Sequence, residues 1–181
     1  MTLPAALIRA LATVACAVAL PAAQAALKPG DAAPAFTAEA ALGGKAFRFD
    51  LAEALKRGPV VLYFYPKAFT SGCTYEAHQF AEATERFAAL GATVVGVSSD
   101  DIDTLKRFSR EACRDKFAVA ADEGSKVIKA YDARLASFVG MADRISYVIG
   151  RDGRIAFVHE DGNPDTHVAN TLKAVERLAR R

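Results

Sequence analysis

A continuous apolar strand that leads directly into a cysteine-bearing helix is the feature that most restricts the fold of this chain. The residues from Val60 to Phe64 are apolar, β-branched or aromatic throughout, and Pro66 closes the run. An unbroken apolar run of this length is typical of a strand buried on both faces of a sheet. From Cys73 to about Leu90, apolar residues recur at three- and four-residue steps, which predicts one long amphipathic helix. The order strand, cysteine loop, helix therefore predicts an α/β layer.

The rest of the chain alternates between predicted strands and helices. Two short strands about Gly43-Gly44, from Phe36 to Phe49, predict an N-terminal β-hairpin extension. We predict further strands over 93–97, 146–149 and 154–158, and helices over 51–56, 102–112, 126–131 and from about 165 to the C-terminus. This alternation indicates one thioredoxin-like α/β domain over residues 26–181, with a central mixed β-sheet and helices on both faces.

The first 25 residues differ in composition from the remainder. They contain no acidic residue, a single Arg9 and a small apolar run, and they end in Ala23-Gln24-Ala25. This is the pattern of a secretory signal peptide with an A-x-A cleavage site. We therefore predict a signal peptide over residues 1–25, cleavage after Ala25, and a periplasmic or secreted protein.

Two alternatives for the N-terminus remain open. One is a retained membrane anchor, although Pro4 and Pro21 interrupt the apolar run and a bilayer span needs about 20 apolar residues. The other is a lipoprotein cleavage box ending at Cys16, where Thr13 stands in the place of the usual Leu. After signal cleavage we expect no membrane association.

Charge and histidine spacing exclude several classes of function. The chain has 23 Lys and Arg against 21 Asp and Glu, mixed along its length, so nothing predicts a nucleic-acid partner. The histidines His78, His159 and His167 form no metal-ligand spacing with Cys73 or Cys113. No glycine-rich phosphate loop is present. We predict neither a metal site nor a cofactor.

The start of a helix is a reactive position for Cys73. Unpaired backbone N–H groups there stabilise a thiolate. The alternative is a small buried hydrophobic residue, the commonest role of a lone cysteine. Lowering a thiol pKa from about 8.5 to about 6 gives roughly thirtyfold more thiolate at pH 7, but intrinsic nucleophilicity falls on the order of tenfold. A fast reaction therefore needs groups that orient the substrate and stabilise the leaving oxygen.

Pro66, Thr70 and Cys73 form the pattern P-x-x-x-T-x-x-C. This pattern resembles the active-site loop of the peroxiredoxin family. The wider run VVLYFYPKAFTSGCTYEA, residues 60–77, is similar to the PrxQ or bacterioferritin-comigratory branch of that family. The resemblance extends from residues 27–36 to residues 144–149. It implies a thiol-dependent peroxidase in which Cys73 reduces hydrogen peroxide or small organic hydroperoxides and becomes a sulfenic acid.

The resemblance also implies roles for the neighbours of Cys73. The Thr70 hydroxyl and the Arg144 guanidinium orient the peroxide, and Pro66 shields the sulfur from water. Glu76, one helical turn after Cys73, holds Arg144 in place. The alternatives are a turn cap for Thr70, a surface arginine beside an aspartate for Arg144, and a solvated helix residue for Glu76.

A second cysteine, Cys113, lies 40 positions after Cys73, and neither belongs to a C-x-x-C motif. Many members of the PrxQ branch carry a resolving cysteine five positions after the nucleophile, where this chain has His78. Others carry it on the following helix, which matches the predicted position of Cys113. Cys113 is therefore a candidate resolving cysteine. The alternatives are a buried structural thiol or an intermolecular disulfide, and an inert Cys113 implies a one-cysteine cycle with an outside thiol.

The resemblance implies a thioredoxin-like dithiol protein as reductant and favours a monomer, with a dimer as the alternative. Two other functions are alternatives to the peroxidase. Thioredoxin-type disulfide exchange requires a C-x-x-C motif, whereas this chain has Thr70-Ser71-Gly72-Cys73. A non-catalytic binding or metallochaperone module would require metal ligands.

Overall fold

The computed structural model describes residues 26–180, which form one seven-stranded sheet with helices packed against it. The strands are β1 (Thr37–Leu42), β2 (Lys45–Asp50), β3 (Val60–Phe64), β4 (Thr93–Ser98), β5 (Ala118–Ala121), β6 (Ile145–Ile149) and β7 (Ile155–Glu160). The helices are α1 (Leu51–Arg57), α2 (Ser71–Ala89), α3 (Ile102–Glu111), α4 (Lys126–Ala130) and α5 (His167–Ala179). A 3₁₀ turn at Pro164–Thr166 precedes α5.

The sheet is mixed, as the sequence predicts. Its strand order is β2-β1-β5-β4-β3-β6-β7. The central strands β3, β4 and β5 are parallel, whereas β6 pairs antiparallel with β3 and β1 pairs antiparallel with β5. The predicted N-terminal hairpin is β1–β2, and it extends one edge of the sheet. The thioredoxin-like α/β fold is confirmed.

Strand β3 is apolar throughout because both of its faces are covered. Val61 and Tyr63 belong to a core cluster that also contains residues of α2, α3 and α5. Val60, Leu62 and Phe64 point to the opposite face and pack in a second cluster with residues of α1 and α4. Since successive side chains of a strand alternate between faces, a strand between two helical layers needs apolar residues at every position.

Helix α2 and strand β5 differ from the sequence-based prediction, and several other elements differ from it by one or two residues at their ends. Helix α2 begins at Ser71, two residues before the predicted start at Cys73. Strand β5 was not predicted, because its sequence, AVAA, is short and rich in alanine, which has low strand propensity. Its strand conformation comes from pairing with β4 on one side and β1 on the other.

The predicted signal peptide, residues 1–25, lies outside the described residues. Within residues 26–180, no helix combines the length and the apolar character needed to cross a bilayer. The proposed domain limits of 26–181 stay a prediction.

Candidate active site

Backbone N–H groups of the loop between β3 and α2 donate to the backbone of strand β4 and to the side chain of Asp100, which follows that strand. The Tyr65 N–H donates to the Val97 carbonyl at 3.2 Å. The Ala68 N–H donates to Asp100 Oδ2 at 2.7 Å. Phe69 has a left-handed backbone with φ of 65°, a strained conformation for a bulky residue. These contacts fix where α2 starts and therefore where Cys73 lies.

Cys73 is the third residue of α2 and is only 2% exposed. Its Sγ lies 3.5 Å from Arg144 Nη2, a donor from the residue that precedes β6. The other end of the guanidinium is also held, because Nε donates to the Gly162 carbonyl at 3.1 Å and Nη1 donates to Glu76 Oε2. The fold thus brings together Cys73, Glu76 and Arg144 and buries all three.

One buried cation faces two groups that can be anions. Burial opposes the charge of Arg144, but Glu76 and Cys73 raise the pKa of the guanidinium above its usual value, so it stays charged. Burial raises the pKa of Glu76 to about 7, against the lowering effect of Arg144. Within residues 26–180, Glu76 Oε1 has no hydrogen-bond partner. The single positive charge of Arg144 can therefore stabilise one buried anion well, and Cys73 and Glu76 compete to be that anion.

Thr70 and Pro66 lie on the solvent side of the site. Thr70 is exposed, and its hydroxyl donates to the Lys67 carbonyl at 3.0 Å. In this geometry the Thr70 oxygen is free to accept a hydrogen bond but has no second proton to give. Pro66 is half-buried and lines a cavity of about 360 Å³ with residues that include Asp100 and Met141.

Cys113 lies just after α3, fully buried in the same apolar cluster as Cys73. Both are free thiols in the described part of the chain. Burial, and to a smaller extent Asp115, raises the pKa of the Cys113 thiol well above its ordinary value. In this conformation Cys113 is therefore a neutral and inaccessible thiol. Over residues 26–180, no three His, Cys, Asp or Glu side chains are grouped so as to hold a metal ion.

His167 belongs to the site although no sequence pattern indicated it. It is the first residue of α5 and fully buried, and its Nδ1 lies 3.8 Å from Glu76 Oε1. Nε2 is 2.8 Å from the Asp161 carbonyl, and Nδ1 is 2.8 Å from Ser146 Oγ. Burial lowers the pKa of His167 to about 4, so the ring is neutral at pH 7. Only the tertiary structure places it beside Glu76, because 91 positions separate the two residues.

Comparison with known proteins identifies the family to which this site belongs. The family model described as AhpC/TSA family matches residues 29–158. The chain belongs to the AhpC/TSA family. A curated relative, peroxiredoxin Q of rice (Oryza sativa subsp. japonica), is 34% identical over 150 residues, which cover 82% of this chain and 67% of the relative. Peroxiredoxin Q of wheat (Triticum aestivum) is 36% identical over 124 residues, which cover 68% of this chain and 57% of the relative.

Among solved structures, the peroxidoxin BcpB of Mycobacterium tuberculosis superimposes with a TM-score of 0.76 at 28% identity. The match covers 84% of this chain and 98% of BcpB. Membership of the AhpC/TSA family, with peroxiredoxin Q relatives, confirms the predicted peroxiredoxin resemblance and thiol-dependent peroxidase function. The family implies a hydroperoxide substrate and a thiol reductant. Disulfide exchange of the thioredoxin type and a non-catalytic binding module are not favoured.

The prediction of a periplasmic or secreted protein is wrong. The rice and wheat relatives are both described as chloroplastic, and the segment that carried the prediction lies outside the described residues. The prediction rested partly on the lack of acidic residues near the N-terminus. Chloroplast transit peptides share that property, so it does not separate one targeting route from another.

Proposed function

We propose that Cys73 is the nucleophile of this thiol peroxidase and that Arg144 stabilises the negative charge of the reaction. The contact that supports the proposal is the one between Cys73 Sγ and Arg144 Nη2, 3.5 Å apart at the start of α2. The Arg144 cation then faces the reacting sulfur at the N-terminus of α2, in a site where Cys73 is buried. Preorganised donors in such a site are among the largest contributors to enzymatic rates.

The reaction is a two-electron oxidation of sulfur. A lone pair of the Cys73 thiolate attacks the terminal oxygen of ROOH, the S–O bond forms, and the O–O bond breaks. The O–O bonding electrons leave with RO⁻, which takes a proton to give an alcohol, or water when the substrate is hydrogen peroxide. Cys73 becomes a sulfenic acid.

Three neighbours support this step. The Thr70 hydroxyl donates a hydrogen bond to the Lys67 carbonyl. Its oxygen is therefore oriented to accept a hydrogen bond from the peroxide O–H. Glu76 holds Arg144 against the sulfur through Nη1. Pro66 has no proton to exchange, and its ring limits the access of water to the cysteine loop.

Cys113 leaves the buried core and then reacts with the sulfenic acid of Cys73. Its thiol condenses with Cys73–SOH to give a disulfide and one water, and a thioredoxin-like dithiol protein then reduces the disulfide by thiol exchange. Because Cys113 is buried and neutral in the closed structure, the segment that carries it must open first. Because the disulfide joins two cysteines of the same chain, the proposed cycle needs no second copy of the protein and can proceed in a monomer.

Stopped-flow mixing of the reduced protein with sub-stoichiometric hydrogen peroxide tests the nucleophile. We expect Cys73→Ser to lose at least about 10³-fold in peroxide consumption and Arg144→Lys about 10²-fold, because a lysine lacks the planar fork that contacts both sulfur and Glu76. Arg134→Lys, at an exposed arginine, is the matched control and should react as wild type does. Wild-type consumption no faster than that of a free thiol would overturn the proposal.

Intact mass after the same reaction tests Cys113. Wild type should lose two hydrogens as the disulfide forms, whereas Cys113→Ser should gain one oxygen or more at Cys73. If both proteins gain oxygen, Cys113 does not resolve, and an outside thiol completes a one-cysteine cycle.

A further inference from the structure

His167 is held in one orientation and one tautomer. Its Nε2 lies 2.8 Å from the Asp161 carbonyl oxygen, which only accepts, so Nε2 carries a hydrogen. In the neutral ring Nδ1 is then an acceptor, and the Ser146 hydroxyl, 2.8 Å away, donates to it. A ring fixed at both nitrogens cannot rotate away from Glu76.

The second oxygen of Glu76 faces this ring. Glu76 Oε2 accepts from Arg144, whereas Oε1 is fully buried without a hydrogen-bond partner in the part of the chain that the structure describes. His167 Nδ1 lies 3.8 Å from Oε1. An acceptor nitrogen opposite a bare carboxylate oxygen is unfavourable, because both present lone pairs. One added proton removes the conflict, either on Glu76 Oε1 or on His167 Nδ1, and in the second case the Ser146 hydroxyl turns from donor to acceptor.

A count of charge leads to the same conclusion. With Cys73 as thiolate and Arg144 as cation, the four buried groups are neutral only if Glu76 and His167 hold one proton in addition to the hydrogen on His167 Nε2. A second anion at Glu76, with His167 neutral, would leave an uncompensated charge in a buried site, which is costly.

Resting on the roles of Cys73 and Arg144 proposed above, we propose that His167 is a positioning residue of the peroxidase site. It shares one proton with Glu76 and so keeps that carboxyl from neutralising Arg144. The positive charge of Arg144 then stabilises the sulfur of Cys73 and the departing oxygen of the peroxide. His167 touches neither sulfur nor peroxide; it acts through Glu76 and Arg144.

Burial of the two groups favours the added proton on Glu76. Burial raises the pKa of Glu76 to about 7 and lowers the pKa of His167 to about 4, so near pH 6 the carboxyl is protonated and the imidazole is neutral. The titratable and charged groups that face the two residues are Cys73 from α2, Tyr63 from β3, Arg144 before β6, His159 from β7 and Asp161 after β7.

A double-mutant cycle with His167→Gln and Glu76→Gln tests the proposal. The measurement is the second-order rate of the first reaction with hydrogen peroxide, from pH 5.5 to pH 8, in a Cys113→Ser background. Gln is chosen for His167 because it keeps a donor and an acceptor but cannot share a proton. Gln at position 76 is a neutral isostere of the protonated carboxyl.

We expect His167→Gln to lower the rate about tenfold at pH 7.5 and less than about twofold at pH 5.5. The reason is that lowering the pKa of Glu76 by about one unit lowers the protonated fraction of Glu76 about tenfold at a pH above its pKa. At pH 5.5 Glu76 keeps its proton without His167. In the Glu76→Gln background, the same His167 substitution should change the rate less than about twofold at every pH, because no charge at position 76 remains to be controlled. His78→Gln, at a half-buried histidine of α2, should behave as wild type.

An equal loss at all pH values, or an equal loss in both backgrounds, would mean that His167 is only structural and would overturn the proposal. Retained peroxide reduction in Cys73→Ser would instead overturn the proposed nucleophile, so the two failures are distinguishable.

A measurement without substitution at His167 covers the case in which that variant does not fold. The ring nitrogens of His167 and the Glu76 carboxyl carbon can be followed by NMR in reduced wild type and in Cys73→Ser. Cys73→Ser lacks the negative charge of the thiolate, so the Glu76–His167 pair should lose its shared proton at a pH about one unit lower than in reduced wild type. Coincident titration midpoints would contradict the proposal.

Discussion

Gly72 leaves room for the guanidinium of Arg144 at the first turn of α2. A Cβ atom at this position would lie 3.3 Å from Arg144 Nη2, the atom that faces the sulfur of Cys73. Contacts this short force the neighbour to give way by a few tenths of an ångström. The glycine therefore has a geometric function at the site, although a glycine in a helix normally reduces stability.

Gly72→Ala should separate stability from activity. Alanine raises helix propensity by up to about 1 kcal/mol, so the melting temperature should hold or rise. The rate with peroxide should fall about threefold to tenfold, because small displacements of a charge-stabilising donor are expensive. Thermal unfolding and stopped-flow kinetics measure the two effects. The exposed residue Ser71 supplies the control Ser71→Ala, and a parallel loss of both quantities would argue against a displaced arginine.

At this scale the sequence indicates part of the candidate site. The cysteine loop pattern and the position of Glu76 one helical turn after Cys73 are local, so they are visible in the sequence. Arg144 was found only through the family resemblance, since 71 positions separate it from Cys73. His167 was missed, because its place beside Glu76 depends on how α5 packs against α2. The direction of the Thr70 hydroxyl toward the Lys67 carbonyl also depends on loop geometry.

The segment that follows α3, residues 112–117, carries Cys113 and is strained next to it. Arg114 and Asp115 both have left-handed backbones, with φ of 52° and 59°. Two exposed ion pairs, Arg114 with Glu82 and Lys116 with Glu85, tie the segment to α2. Exposed pairs of this kind contribute little to stability, whereas left-handed non-glycine residues cost free energy. The segment is thus less stable than the core into which it inserts Cys113.

Thiol labelling should detect a local opening of residues 112–117. We expect Cys113 to react with an alkylating reagent after a local opening. The free energy of that opening should depend on urea concentration about half as steeply as the free energy of global unfolding, or less, because a local opening exposes less surface. Asp115→Gly should slow the labelling about twofold to fivefold by relieving the left-handed strain of the closed state. Asp132→Gly, at another left-handed aspartate outside the segment, is the control. Labelling that requires global unfolding would exclude Cys113 as a resolving cysteine in the folded protein.

Elements with a strong intrinsic pattern were predicted well, and those specified by their neighbours were not. The predicted strand from Val60 to Phe64 coincides with β3, because a strand between two helical layers must be apolar on both faces. Strand β5 has four small residues and no alternation, so only its pairing with β1 and β4 defines it. The predicted helix after β3 was correct except at its start.

For the whole molecule, the buried pair of Glu76 and His167 makes opposite contributions to stability as pH changes. The pKa of Glu76 is raised from 4.5 to about 7, so its contribution is fully present below pH 4.5 and is lost as pH rises toward 7. The pKa of His167 is lowered from 6.5 to about 4, so the unfolded chain takes up a proton first as pH falls. Its contribution is therefore present above pH 6.5 and is lost toward pH 4. Between these limits the two slopes largely cancel in wild type.

Removing either partner should reveal the slope of the other in urea unfolding between pH 4.5 and pH 7. Relative to wild type, Glu76→Gln should gain free energy of unfolding as pH rises, by on the order of 3 kcal/mol, because a buried carboxyl that resists ionisation is gone. His167→Gln should show the opposite trend and lose free energy of unfolding relative to wild type over the same range. Curves parallel to wild type would mean that neither group titrates differently in the folded protein. The charge balance assigned to the pair would then have to come from other groups.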